Sequence, residues 1–175
     1  MKWKKITLLI VLFFASVVYF IYFQAHDEGI QVGDLAPPFD LPMMTGENVQ
    51  LYDFKGKYVL VSFWATWCPP CLHEMPSMDK LYQRYHERGL DILAISVDEG
   101  KWPAINKFLK KTPVSFPVLL DETSRVAYAY GTYQLPETYL VGPGQTVIEK
   151  YIGPQNWVHS RFISYFDKLL SSAHY

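Results

Sequence analysis

The sequence predicts a mixed α/β domain, a central sheet flanked by helices, carried behind one apolar N-terminal helix. Three observations predict it. An apolar run at residues 58–64 (YVLVSFW) ends just before the only two cysteines, Cys68 and Cys71, and Leu72, Met75, Met78, Leu81 and Tyr82 then recur at helical spacing. A second apolar run at 92–97 completes a strand–helix–strand unit, whose two strands must run parallel. Farther on, two strand-like runs flank Gly142-Pro143-Gly144-Gln145, a hairpin signal, and an amphipathic segment at 157–170 closes the chain.

The N-terminus comes first in order. Lys2, Lys4 and Lys5 precede residues 6–23, a run of 18 residues without a charge. As a helix this run would span about 27 Å, close to a hydrocarbon core. Every face of it is apolar, so a buried core helix, which keeps a polar side, is the weaker reading. A removed signal peptide is the alternative, but the run ends in bulky Tyr22 and Phe23, with Ala25 the one small residue nearby. The expected organisation is therefore a cytoplasmic basic stub (1–5), an uncleaved transmembrane signal-anchor (6–23), a polar tether (24–32) and one folded domain (33–175). The lysines hold the N-terminus inside, which places the domain on the extracytoplasmic side of the cytoplasmic membrane, in the periplasm or its equivalent. The formal net charge is -1 and no other basic block exists, so no nucleic-acid partner is expected.

Within the domain, residues 39–42 and 49–51 flank the turn signal Thr45-Gly46-Glu47-Asn48 and form an N-terminal β extension. The strand at 58–64 follows, and the cysteine helix should end near Gly89. After the strand at 92–97, Trp102, Ile105, Phe108 and Leu109 share one side of a helix over 101–111, an insertion before the next strand. Residues 118–120 read as a short strand and 125–130 as a short helix. Residues 138–141 and 146–151 are the hairpin strands. In the last helix Phe162, Ile163, Phe166, Leu169 and Leu170 face inward.

Chemistry concentrates at Trp67-Cys68-Pro69-Pro70-Cys71. Cys68 stands where a strand ends and a helix begins, and unpaired N–H groups with the helix dipole favour a thiolate there. Two intervening residues on a first helical turn bring the sulfurs into bonding range. Cys68 is then the exposed attacker and Cys71 the buried resolver of a mixed disulfide. A permanent stabilising disulfide is the competing reading, but so short a loop constrains the unfolded chain little. A zinc site would need further cysteine or histidine ligands at the right spacing, so neither metal nor cofactor is expected. Pro69 and Pro70 carry no N–H, which leaves the thiolate fewer donors and points to a reductant rather than a strong oxidant.

Residues 63–76, Phe63-Trp64-Ala65-Thr66-Trp67-Cys68-Pro69-Pro70-Cys71-Leu72-His73-Glu74-Met75-Pro76, resemble the membrane-anchored thioredoxin-like proteins of bacteria. That is the TlpA-like group, which includes the thiol reductants of cytochrome c maturation. Residues 134–141, Gln134-Leu135-Pro136-Glu137-Thr138-Tyr139-Leu140-Val141, are similar to that family's cis-proline loop and following strand. The resemblance covers 33–175 and implies a thioredoxin-like fold. It also implies redox exchange through Cys68 and Cys71, and substrate binding by Trp67, Leu135, Pro136 and Glu137. Where thioredoxin carries a buried acid before the motif this chain has Ser62, so Glu74 is the expected acid–base for Cys71; an ordinary solvated helix glutamate is the alternative. Glu137 either adds acidity to the substrate groove or is solvated, and His73 reads as surface. The implied partners are a protein disulfide, apocytochrome c before haem attachment foremost, and a membrane thiol electron donor. Three alternatives stand beside this reading: an oxidant or isomerase of secreted proteins, a peroxide reductase, and a redox-inert module that binds metal or unfolded chains.

Overall fold

The computed structural model describes residues 2–25, 29–99 and 101–171. Helix α1 (Lys2–Ala25) comes first; its described side chains are those of residues 3, 6 and 10–20. Among the described residues no helix is long and apolar enough to cross a membrane. The expected anchor, 6–23, takes in residues 7–9 and 21–23, whose side chains lie outside the described set. Of the expected tether, residues 26–28 lie outside it as well. Packing begins earlier than the expected boundary at 33, because Ile30 is already buried in the core.

Strands β1 (Asp40–Pro42) and β2 (Asn48–Gln50) pair antiparallel as the expected N-terminal extension. The main sheet has the order β5-β4-β3-β6-β7, with β3 (Tyr58–Trp64), β4 (Leu90–Ser96), β5 (Val118–Leu120), β6 (Glu137–Val141) and β7 (Val147–Ile152). β3, β4 and β5 are parallel, whereas β6 runs antiparallel to β3 and to β7. That mixed sheet is the thioredoxin-like arrangement. β3 lies at its centre because it is apolar on both faces, as a strand covered from two sides must be.

Period-two alternation along β3 sorts the two cores. Leu60 and Trp64 face α2 (Pro69–Tyr85), α3 (Lys101–Leu109) and α5 (Ser160–Ser171). Val59, Val61 and Phe63 face α4 (Arg125–Ala129) and the segment 30–41. α5 starts three residues later than its apolar pattern implies: Trp157 lies ahead of the helix, fully buried, in the loop before it. Phe162, Phe166 and Leu170 are buried as expected, while Ile163 and Leu169 are half-buried at the margin. Each fully buried side chain of this size contributes about 1.5–3 kcal/mol, enough to hold α5 over α2.

Candidate functional site

β3 delivers the chain to the site. After Trp64 it turns at Ala65, where the Cys68 N–H closes on the Ala65 carbonyl at 3.2 Å. α2 then begins with Cys68 as its N-cap and prolines at its first two positions, where a missing N–H leaves no helical bond unmade. The Cys71 N–H donates to Cys68 Sγ at 3.3 Å. Pro76 lies within α2.

Cys68 and Cys71 form a disulfide. Cys71 is buried at 1% exposure, and Cys68 is nearly so at 5%. The expected exposed attacker is therefore covered in this oxidised form. Trp67 beside it is 66% exposed and stands as a rim aromatic, while Trp64 is packed inside.

Sequence reasoning missed what fixes this turn. Asp98, just past the end of β4, is buried, and its Oδ2 accepts from the Thr66 N–H at 2.9 Å. Its Oδ1 accepts from the Thr66 hydroxyl at 2.6 Å, and the Ser96 hydroxyl donates to Oδ2 at 2.7 Å. Three hydrogen bonds converge on this one buried carboxyl group, so two residues before Cys68 the backbone is held in place. The same bonds commit the Thr66 N–H, which is then not free to serve a Cys68 thiolate. A charged residue directly after an apolar strand was the available signal.

Glu74 is 4% exposed, so it is no solvated helix glutamate. It lies one turn past Cys71 on the same helix face. Its Oε1 accepts a short hydrogen bond from the Trp157 indole N–H, and its Oε2 has no hydrogen-bond partner among the described residues. Burial raises its pKa to about 7; the Trp157 N–H and, more weakly, the Gln155 backbone oppose that rise. A carboxyl that titrates near neutrality one helical turn from the resolving cysteine has the acidity needed to exchange a proton with it. Ser62, where an acid would sit in thioredoxin, is buried and accepts the Thr138 hydroxyl at 2.9 Å. It holds β3 to β6 and cannot carry a proton at neutral pH. His73 is exposed.

The Leu135–Pro136 bond is cis. Leu135 lines an open groove of about 660 Å³ with Thr66, Trp67, Asp98, Glu99 and Tyr133. Trp67 and Leu135 thus line one groove, whose lining among the described residues does not include Pro136 or Glu137. Glu137 requires a correction. It is neither solvated nor a groove residue: at 2% exposure its Oε1 accepts Lys150 Nζ at 2.8 Å and the Tyr139 hydroxyl at 2.9 Å. The register pairs Glu137 with Phe63, which directs its side chain to the face of the sheet opposite α2. The Tyr139 hydroxyl also reaches the Tyr130 carbonyl at 2.8 Å and the Thr132 hydroxyl at 3.3 Å. This buried cluster ties the two ends of the loop 130–137 together, so Glu137 supports the groove wall from behind. Among the described residues no group of three or more His, Cys, Asp or Glu is placed to hold a metal ion.

Comparison with known proteins agrees with this geometry. Residues 32–150 match the profile of the AhpC/TSA family. The chain is 37% identical over 150 residues to a thiol-disulfide oxidoreductase ResA of Bacillus cereus, covering 84% of this chain and 86% of that protein. Against ResA of Bacillus subtilis the figures are 40% over 129 residues, 74% of this chain and 72% of that protein. Among solved structures, a candidate thiol:disulfide interchange protein DsbE from Chlorobium tepidum superposes with a TM-score of 0.72 at 29% identity, over 82% of this chain and 99% of that one. The thioredoxin domain of a thiol-disulfide oxidoreductase from Bacteroides vulgatus gives 0.71 at 26% identity, over 81% and 99%.

Proposed function

The chain belongs to the AhpC/TSA family of thioredoxin-like proteins, and on that premise we propose that it is a membrane-anchored reductant of protein disulfides acting outside the cytoplasm. Its chemistry is thiol–disulfide exchange, performed by Cys68 and Cys71. In the reducing direction the Cys68 thiolate attacks one sulfur of a substrate disulfide and expels the other as a thiolate. Cys71 gives up its proton and attacks Cys68 Sγ, which releases the second substrate sulfur. Two electrons pass to the substrate, and the protein is left in the disulfide form seen here. Glu74 takes the Cys71 proton, and Trp67 and Leu135 seat the substrate chain alongside.

The observation that carries the direction is the scarcity of donors at Cys68. Positions 69 and 70 are prolines, the Thr66 N–H is committed to Asp98, and the Cys71 N–H approaches Sγ at 3.3 Å. A thiolate so sparsely served is not strongly favoured, and strong oxidants are those whose reduced form is. Peroxide reduction is a poorer fit, because its attacking cysteine does not need a partner three residues away.

Support for the anchor is the uncharged run 6–23 behind three lysines. It includes Val11, Leu12, Phe13, Phe14, Val18 and Phe20, all exposed on α1 with no polar side to give to water. Apocytochrome c before haem attachment is the substrate we assign, from the likeness of 63–76 and 134–141 to the cytochrome-maturation branch. A membrane thiol carrier would restore the dithiol. The test uses the reduced full-length chain in detergent with an oxidised Cys-x-x-Cys-His peptide, the haem-attachment sequence. The proposal expects stoichiometric loss of the peptide disulfide and a trapped Cys68 adduct when Cys71 is replaced by serine. An unreduced peptide, with an active dithiol toward other disulfides, would remove the cytochrome assignment.

A further inference from the structure

Resting on the reading of residues 6–23 as a membrane anchor, we infer that the face built by α4 and the segment 29–35 lies on the lipid surface itself. The first observation is where the chain joins the domain. Gly29 crosses Gly131 backbone to backbone: a methyl added at Gly29 would come within 2.6 Å of the Gly131 Cα, and one at Gly131 within 2.2 Å of the Gly29 Cα. Ile30 is buried directly after. The domain is therefore joined to what precedes it at the end of α4.

The second observation is reach. From Ala25, the last residue of α1, to Gly29 is four residues, at most about 14 Å of fully extended chain. A domain of this length has a radius of gyration of about 15 Å and is about 37 Å across. With α1 in the bilayer, so short a link cannot bring the opposite face, formed by α2 and α5, to the membrane. Whatever surface surrounds Gly131 is the surface that meets it.

The third is the character of that surface. Tyr128 is 76% exposed and Tyr133 67%, on either side of Gly131, and Val32 and Leu35 are exposed on the segment after Gly29. Tyrosine is enriched at membrane–water interfaces, where an apolar ring and a polar tip are both satisfied. Arg125 and Asp34 are both exposed beside these residues, so charge there does not select anionic lipid. The occupant is a zwitterionic lipid interface. Tyr133 also lines the groove beside Trp67 and Leu135, which sets the groove mouth at the bilayer, open to partners held there.

The full chain is reconstituted in phosphatidylcholine vesicles with p-benzoylphenylalanine introduced at Tyr128, at Val32 or, on the opposite face, at Lys80 of α2. Flotation reports insertion, and photo-crosslinking to lipid reports the face. Flotation of all three, with crosslinking at 128 and 32 several-fold above that at 80, is the expected result. Flotation with equal crosslinking at all three positions, or with more at 80, leaves the anchor standing and overturns the orientation. Failure to float overturns the anchor reading and the orientation with it.

Discussion

Glu74 is the residue whose behaviour departs most from its type. A glutamate ordinarily ionises near 4.5, whereas here burial pushes it to about 7. Between those values the folded state binds more protons than the unfolded chain, so its contribution to stability is present at low pH and is lost as pH rises through 7. The span is worth a few kcal/mol at most, on the order of 1.4 kcal/mol per pKa unit. Glu74→Gln keeps an acceptor for the Trp157 N–H and removes the titration. Urea unfolding of the oxidised protein across pH 4–9 should show this pH-dependent loss in the native chain and its absence in the variant. The same substitution should shift the pH dependence of exchange; an unchanged profile would remove Glu74 from the chemistry. Trp157→Phe removes a hydrogen bond that lowers the Glu74 pKa, so that pKa should rise further. Stability should fall by about 1–3 kcal/mol, the cost of a buried polar group left unpaired. Asp98→Ala should cost a similar amount and loosen the Thr66 turn. Protease cleavage near 66–68 should increase in that variant while the far hairpin stays protected.

At the scale of elements, the strands, the cysteine helix and the hairpin were legible because their signals are local. An apolar run, a period of 3.6 and a Gly-Pro-Gly-Gln loop each lie within a dozen residues. The Cys68–Cys71 pairing and the cis bond at Pro136 were legible for the same reason, each inside a contiguous motif, whereas the covering of Cys68 was not. What could not be read was long-range. The Glu74–Trp157 bond joins residues 83 apart, and Trp157 belongs to the pattern of α5 while standing in the loop before it. The inward turn of Glu137 depends on its register opposite Phe63, which no local pattern states. The crossing of Gly29 and Gly131 was equally hidden, since a glycine in a polar tether reads as slack. It is instead a close contact. Gly29→Ala must displace one backbone, and overpacking of this kind costs about 1–3 kcal/mol. Thermal unfolding should register that loss, while Gly144→Ala, where an added methyl meets open space, should not.

For the whole molecule, a sheet with its central strand covered on both faces carries the dithiol at one end of that strand. The cysteine helix lies on one face, and the supports of the groove wall lie on the other. The chain enters close to that wall, where Gly29 crosses Gly131, so under the proposed anchoring the membrane and the groove would share one side of the domain. This layout suits the proposed reductant, which would pass electrons from a membrane carrier to a disulfide presented at the same surface. The direction of transfer rests on the poorly served Cys68 thiolate, and it is measured by the reduction potential of the Cys68–Cys71 pair in the full-length protein, equilibrated with a thiol redox buffer. A value near that of thioredoxin, about -270 mV, or lower is predicted. A value near that of the strong oxidant DsbA, about -120 mV, would contradict the account and make the protein a disulfide donor.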